Sequence, residues 1–329
     1  MSEPLVWERD GTHWPHRHAS RFVQADGLRW HVQRFGVETS CAELTVHSPG
    51  QSPPQIPVAL LLHGTGASTH SWRGLAPLLA AHFNVLSVDL PGHAFTGMPA
   101  DGSMSQQLSL PGMARALHAL LQALNVEPAL VIGHSAGAAI GVRMCLDGLI
   151  SPQLLVGVNG AFLPLGGLAG QLFSPVAKLM AAAPFVPRLF SWRATDPSVL
   201  QKLIDSTGST LDAKGLALYG KLVRNSGHAA GALGMMANWD LPQLARDLPQ
   251  LTTPLCLMVG SNDRTISPQQ ASRVLAMLPT STGSPASAGS MLVTLAGLGH
   301  LAHEERPDLV ADFVLAQYYL KHAAAPVRL

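Results

Sequence analysis

LVIGHSAGAAIGVRM, residues 130–144, is the stretch of this sequence that decides the fold. Within it, GHSAG at 133–137 matches G-x-S-x-G, a pattern that needs an apolar strand before it and a helix after it, and both are present. Gly133 and Gly137 relieve crowding beside a strained turn, and the helix N-terminus directs N–H groups at developing negative charge. The pattern predicts Ser135 as a nucleophile. The alternative is an inert serine in a glycine-rich turn.

Apolar runs alternate with helix-like segments on both sides of this stretch. The predicted strands lie at 21–24, 28–35, 58–62, 85–88, 129–132, 154–158, 255–259 and 291–295. The predicted helices lie at 72–81, 113–124, 136–149, 268–278 and 307–321. This alternation predicts an α/β fold with a mostly parallel central sheet flanked by helices. Residues 162–238 contain helical patches and no clear strand, so we expect a helical insertion between two strands of one sheet.

The composition excludes several classes of protein. Of 329 residues, 47% are hydrophobic and 12% charged, which argues against disorder, and the net charge of +1 leaves no basic excess for nucleic acid. The three cysteines stand far apart without a CxxC pair, which favours a reducing compartment. The N-terminus has no apolar signal segment, and prolines and glycines interrupt the uncharged stretch at 148–177. We therefore expect a cytoplasmic protein.

HGTG, residues 63–66, is a second glycine-rich turn, and it directly follows the predicted strand at 58–62. Its place fits the loop that supplies one of the two N–H donors of an oxyanion hole. We expect the backbone N–H groups of Thr65 and Ala136 to be these donors, with Gly66 as the alternative to Thr65. A plain glycine turn is the non-functional alternative. His63 is expected to hold the loop by hydrogen bonds.

A nucleophilic serine requires a base, and the base requires an orienting acid, in the chain order serine, acid, histidine. Asp263 follows a predicted strand and is the predicted acid, because Asn159 at the other candidate position cannot carry the charge. Asp89 is expected to form a turn instead. His300, which follows Gly299 in a loop after the last predicted strand, is the predicted base. His303, at the predicted start of the last helix, is the alternative.

Four motifs in this order resemble the α/β-hydrolase superfamily over residues 20–322. They are HGTG at 63–66, DLPGH at 89–93, GHSAG at 133–137, and NDRTIS at 262–267 together with GHLAHEERP at 299–307. In that fold a helical cap is inserted after the sixth strand and covers the active site. The resemblance therefore implies a cap at 162–238 and a core at 1–161 and 239–329.

A narrower resemblance involves the opening segment and the cap. It rests on residues 10–36, HGTGASTHSW at 63–72, GHSAGAAI at 133–140, VNGAF at 158–162, LFSPVAKLM at 172–180 and MMANWDL at 235–241. These segments are similar to the magnesium-chelatase accessory hydrolases of bacteriochlorophyll biosynthesis in phototrophic bacteria. The resemblance implies a role near magnesium insertion into protoporphyrin IX and an association with magnesium chelatase. The stretches at 41–57 and 281–289 are expected to be extra loops without catalytic residues.

Two functions are consistent with these residues. The first is a carboxylesterase-like serine hydrolase that cleaves an ester, or a C–C bond next to a carbonyl, in a large apolar compound such as a tetrapyrrole, without metal or organic cofactor. The second is a non-catalytic accessory protein that binds or hands over a porphyrin. His13, His16 and His18 lie close together, but no carboxylate or cysteine completes a metal site at ligand spacing, so we expect a solvated group.

The segment 162–194 contains no acidic residue, and its charges are Lys178, Arg188 and Arg193 among apolar and aromatic residues. Ser-Pro at 174–175 predicts the start of a helix. We expect this helix to pack its apolar face over the core. The alternative is that part of the cap surface is exposed and makes a weak peripheral contact with the inner membrane.

Overall fold

The computed structural model describes residues 3–36, 56–164, 183, 185–194, 196–279 and 289–323. The strands of these ranges are β1 (Ser20–Ala25), β2 (Leu28–Phe35), β3 (Val58–Leu62), β4 (Asn84–Val88), β5 (Pro128–His134), β6 (Leu154–Val158), β7 (Leu255–Gly260) and β8 (Met291–Leu295). The helices are α1 (Trp7–Asp10), α2 (Leu75–Leu79), α3 (Leu110–Leu124), α4 (Ala136–Leu146), α5 (Val186–Arg193), α6 (Pro197–Asp205), α7 (Ala213–Val223), α8 (Ser226–Ala237), α9 (Leu241–Asp247), α10 (Gln269–Met277), α11 (Ala302–Glu305) and α12 (Pro307–Ala323). Short 3-10 turns occupy Arg17–Ala19, Thr69–Trp72, Gly102–Met104, Gln106–Leu108 and Leu248–Gln250.

The strands form one sheet in the order β1-β2-β4-β3-β5-β6-β7-β8. Only the pairs β1/β2 and β2/β4 are antiparallel, so the predicted α/β class with a mostly parallel sheet is confirmed. Leu62 pairs with Gly133, and His134 with Val158, so the carboxyl ends of β3, β5 and β6 meet at one edge. Ligands of open α/β sheets bind at this edge.

Helices cover both faces of the sheet. Leu60 and Leu62 of β3 belong to the apolar cluster that contains α3 and α4, whereas Ala59 and Leu61 belong to the cluster that contains α2 and α12. Because both faces are buried, β3 is apolar throughout rather than alternating. The same burial explains the continuous apolar sequences of β5, β6 and β7.

Several predicted helix boundaries are wrong: the helix predicted at 113–124 begins at Leu110, and the one predicted at 136–149 ends at Leu146. The predicted helix at 72–81 is a 3-10 turn followed by the short α2, because Pro77 has no N–H to continue a helix from residue 72 and is tolerated only in the first turn of α2. His303 lies in the separate helix α11, since Pro307 begins the next one. The predicted helix start at 174–175, Lys178 and Cys41 lie outside the described residues. So do the predicted loops at 41–57 and 281–289, except for Ile56, Pro57 and Gly289.

The described chain between β6 and β7 contains the helices α5 to α9, joined by turns and without a strand, and we call it the helical insertion. It packs on the core through α8, where an added Cβ at Gly231 would lie 1.9 Å from Gly92 O. The N-terminal segment also contacts α8, where Glu3 O accepts a hydrogen bond from Gly227 N at 3.0 Å. No helix of the described ranges is long and apolar enough to cross a membrane. The boundaries of the cap at 162 and 238 stay a prediction.

Candidate active site

Ser135 lies between β5 and α4 with φ 51° and ψ −115°, a backbone conformation that costs a non-glycine residue about 1–3 kcal/mol. Its N–H donates to Val158 O at 3.0 Å, and its carbonyl accepts from Ala161 N at 3.1 Å. These bonds from the end of β6 hold the strained turn in place. The half-buried Ser135 therefore lies at the carboxyl edge of the sheet, where α4 begins.

Three glycines make the turn possible. An added Cβ at Gly133 would lie 2.4 Å from Ala138 Cα, and one at Gly137 would lie 2.1 Å from Leu62 O. An added Cβ at Gly64 would lie 3.0 Å from the Cβ of Ser135. The HGTG loop therefore packs directly against the serine, and a side chain at any of the three positions would clash with the backbone or side chain that now lies against the glycine.

The HGTG loop is held from both sides. His63 Nδ1 donates to Gly64 O at 2.8 Å, and its Nε2 accepts from Leu90 N at 2.9 Å. On the other side, His228 of α8 donates from Nε2 to Gly66 O at 3.0 Å. This fixes the loop beside the first turn of α4, where Ala136 begins the helix and its N–H has no partner within the helix.

His300 and Asp263 form a buried pair, with 2.8 Å between Nδ1 and Oδ2. The other carboxylate oxygen, Oδ1, accepts from the N–H groups of Thr265 at 2.8 Å and Ile266 at 2.9 Å. Because a carboxylate only accepts, Nδ1 of His300 carries the proton and Nε2 is left as the basic atom. This is the arrangement that a general base requires.

The loop that carries His300 is hydrogen-bonded to the turn that carries Ser135. His134, the neighbour of Ser135, donates from Nε2 to His300 O at 2.9 Å, and the two rings lie 4.7 Å apart. Asn159 donates from Nδ2 to the same carbonyl at 2.7 Å, while its Oδ1 accepts from Gly260 N at 2.7 Å. The structure thus gathers Ser135, Asp263 and His300 at one edge of the sheet.

Residues 207–209 of the helical insertion form a turn that we call the bridging turn. It is hydrogen-bonded both to the loop that carries Asp263 and to the loop that carries His300. Thr207 O accepts from His300 N at 3.1 Å and from Arg264 N at 3.2 Å. Ser209 Oγ accepts from Leu301 N at 2.8 Å, and Gly208 O accepts from the Asn262 side chain at 2.7 Å. The insertion therefore contributes directly to the positions of both loops.

The surroundings of His303, the alternative base, indicate a structural role in the core. It is fully buried, its ring lies 4.6 Å from Trp72 and 4.4 Å from His134, and neither ring nitrogen has a hydrogen-bond partner among the described residues. Burial, reinforced by the charges of His300 and Arg73, lowers its pKa to about 3. The ring is therefore a neutral packing element in the core.

Asp89 organises the neighbouring loop. Its Oδ2 lies 2.7 Å from His31 Nδ1, and its Oδ1 accepts from Thr69 N at 2.7 Å. Burial alone would raise its pKa, but the His31 contact and these hydrogen bonds lower it to about 2. The carboxylate is engaged with loop groups, as the predicted turn role requires.

Comparison with known proteins adds to this geometry. A family model described as the alpha/beta hydrolase family matches residues 59–313. The chain belongs to the alpha/beta hydrolase family. The magnesium-chelatase 30 kDa subunit of Rhodobacter capsulatus is 35% identical over 302 residues, which cover 92% of this chain and 95% of that protein.

Solved structures share the fold of this hydrolase at low sequence identity. An alpha/beta hydrolase fold protein from Burkholderia ambifaria superposes with a TM-score of 0.68 at 20% identity, covering 96% of this chain and 100% of that one. The enol-lactonase from Burkholderia xenovorans gives 0.67 at 16% identity, covering 91% and 99%. At these identities the likeness concerns the fold alone.

Several residues around the site of this hydrolase were missed by sequence reasoning. Asn159 was weighed only as a possible acid, although its side chain holds the His300 carbonyl. The bridging turn falls within STGST at 206–210, which carries no catalytic pattern. Its glycine was the one available signal, since Gly208 has φ +78° and an added Cβ there would lie 2.0 Å from Asn262 O.

Buried histidines lead us to expect that the folded protein loses stability in acid. Burial lowers the pKa of His63 and His134, lowers that of His228 to about 4, and lowers that of His303 to about 3. In the unfolded chain these rings titrate near pH 6.5, so below that pH the unfolded state binds more protons and stability falls. We expect the free energy of unfolding to drop steeply from pH 6.5 toward pH 4, each ring contributing up to about 1.4 kcal/mol per pH unit.

Urea denaturation at a series of pH values measures this slope. His303→Phe, which keeps a ring and removes a titrating group, should reduce the slope by about 1.4 kcal/mol per pH unit. A slope that is the same in the His303→Phe variant would show that this ring is protonated in the folded state.

Proposed function

We propose that this hydrolase is a serine hydrolase with Ser135 as nucleophile, His300 as general base and Asp263 as the group that orients the base. The observation that carries the proposal is the buried Asp263–His300 pair, with 2.8 Å between Oδ2 and Nδ1, whose loop is bonded to the residue beside the strained Ser135. The N–H groups of Thr65 and Ala136 are the proposed oxyanion donors.

In the proposed reaction, Nε2 of His300 takes the Ser135 hydroxyl proton while Oγ attacks the substrate carbonyl carbon. The negative charge moves to the carbonyl oxygen, which the two backbone N–H groups stabilise. When the tetrahedral intermediate collapses, His300 returns the proton to the departing alcohol and an acyl-enzyme remains. Water then attacks the acyl group while His300 accepts a proton from it, and His300 passes this proton to the departing Ser135 Oγ, which releases the acid and regenerates the hydroxyl.

We infer a large apolar substrate, with an ester or a C–C bond next to a carbonyl as the bond cleaved. The support is the magnesium-chelatase 30 kDa subunit of Rhodobacter capsulatus, which aligns along nearly the whole chain. We propose a tetrapyrrole of magnesium-porphyrin and bacteriochlorophyll biosynthesis as the substrate, and an association with magnesium chelatase. The helical insertion is proposed to cap the site, because Met235 of α8 contacts Thr65, with 3.4 Å between Sδ and Oγ1.

A second function is favoured by the same relative, since its name is that of a chelatase subunit rather than of a hydrolytic enzyme. In this alternative the protein binds or hands over a porphyrin, and the three residues are idle. Both functions predict porphyrin binding. They differ in whether Ser135 reacts.

A fluorophosphonate serine probe separates the two functions. We expect the purified protein to be labelled at Ser135, located by peptide mass spectrometry, because an active triad attacks the probe phosphorus as it would a carbonyl. Ser206→Ala, at an exposed serine, is the matched control and should label normally, whereas Ser135→Ala should not label. Absence of labelling in the folded protein would favour the accessory function.

The substrate class is tested by incubating the protein with porphyrins and their methyl esters and following the products by mass. Loss of a defined fragment with the intact protein, and none with Ser135→Ala, is the expected result. Labelling by the probe without turnover of any porphyrin ester would leave the serine hydrolase in place and overturn the tetrapyrrole assignment.

A further inference from the structure

Helix α5 presents a row of large apolar side chains to solvent. Phe185, directly before the helix, is 65% exposed, Leu189 is 52% exposed and Trp192 is 66% exposed. Leu189 N donates to Phe185 O at 2.9 Å, so the three residues follow one another at helical spacing of four and three. Side chains at this spacing lie on one side of a helix.

Cations accompany this row. Arg188 and Arg193 are exposed on the same short helix, and residues 162–194 contain no carboxylate. The nearest carboxylate along the chain is Asp196, at the start of α6, whose charge interacts with those of Lys202 and Arg193. We call Phe185, Arg188, Leu189, Trp192 and Arg193 the α5 face.

We propose that the α5 face binds the surface of a bilayer that contains anionic lipid. Such a surface has a charged headgroup layer above the boundary of the acyl chains. The negative headgroups attract the arginines, and the acyl boundary buries the aromatic and leucine side chains beside them. A protein partner would require a complementary apolar surface, and the cationic composition favours the lipid. With eight residues, α5 is about 12 Å long, so the contact lies in the interface and does not span the membrane.

The α5 face is connected to the candidate active site. Helix α5 packs against α8, which carries Met235 and His228, the residues that contact Thr65 and Gly66. A protein attached through α5 would therefore hold the insertion side of the molecule against the lipid. Attachment itself does not depend on Ser135, so it is tested independently of the proposed hydrolysis.

Co-sedimentation with vesicles tests the proposal. The full chain should sediment with phosphatidylglycerol vesicles at low ionic strength, more weakly at high ionic strength, and least with phosphatidylcholine vesicles. Arg188→Gln with Arg193→Gln should weaken binding to the anionic vesicles about thirtyfold, the factor that corresponds to about 2 kcal/mol. Leu189→Gln with Trp192→Gln should weaken it by at least about tenfold.

Two control variants alter exposed residues elsewhere. Leu320→Gln, at a leucine that is 61% exposed on α12, and Arg115→Gln, at an exposed arginine of α3, should sediment like the unchanged protein. Circular dichroism of each variant verifies that it is folded. No sedimentation of the unchanged protein, equal sedimentation with both lipids, or equal loss in the α5-face and control variants would each overturn the proposal.

Discussion

Ser135→Ala and His300→Ala should each lower kcat/KM for a small aryl ester by about 10⁴-fold to 10⁶-fold. Removing Oγ removes the nucleophile, and removing the imidazole leaves Oγ with its proton, so either change stops the same step. Because the members of such a triad act as a unit, the double variant should be little worse than either single one. Steady-state kinetics of the three variants measure both effects.

His303→Ala is the control for the choice of base. The ring packs between Trp72 and His134 and is fully buried, so its loss should leave a cavity and lower the free energy of unfolding by about 2 kcal/mol or more. Activity of the folded fraction should stay near that of the unchanged protein. Inactivation by His303→Ala together with a silent His300→Ala would refute the assignment of His300.

Asp263→Asn should lower kcat/KM by about 10⁴-fold while leaving the fold intact. Oδ1 of Asp263 accepts two backbone hydrogen bonds, from Thr265 and Ile266, so an asparagine there would keep its carbonyl oxygen on that side. Its NH₂ group would then face Nδ1 of His300, which would have to accept. The proton would move to Nε2, and the base would lose the lone pair that takes the serine proton.

Asp240→Asn makes the same chemical change at an exposed carboxylate and should be silent. Denaturation of the Asp263→Asn variant distinguishes loss of the tautomer from loss of structure, since the first leaves the unfolding midpoint near its original value. An Asp263→Asn variant with nearly full activity would show that another group orients His300.

The local parts of the fold could be predicted from the sequence. β5, the turn at Ser135 and α4 follow one another within residues 128–146, so their apolar residues and glycines could be recognised in one short stretch of sequence. The same holds for Asp263 and His300, because they lie three residues after the end of β7 and five residues after the end of β8. Chain order and strand ends were enough to propose the pair that the structure brings to 2.8 Å.

The parts that depend on distant contacts could not be predicted. Ser209 meets Leu301 across 92 positions, and Asn159 meets His300 across 141. No periodicity or turn signal in a single sequence encodes such partners.

The bridging turn restricts how this fold can be recombined. In protein engineering, an insertion of this kind is treated as a module that can be exchanged for the insertion of another family member with a different substrate preference. Here Thr207 and Ser209 belong to it by sequence, yet their partners are Arg264, His300 and Leu301 of the loops that carry Asp263 and His300. A chimera joined only at the ends of β6 and β7 would discard those contacts. A chimera that keeps the native residues 207–209 within the donor segment should keep these loops in place.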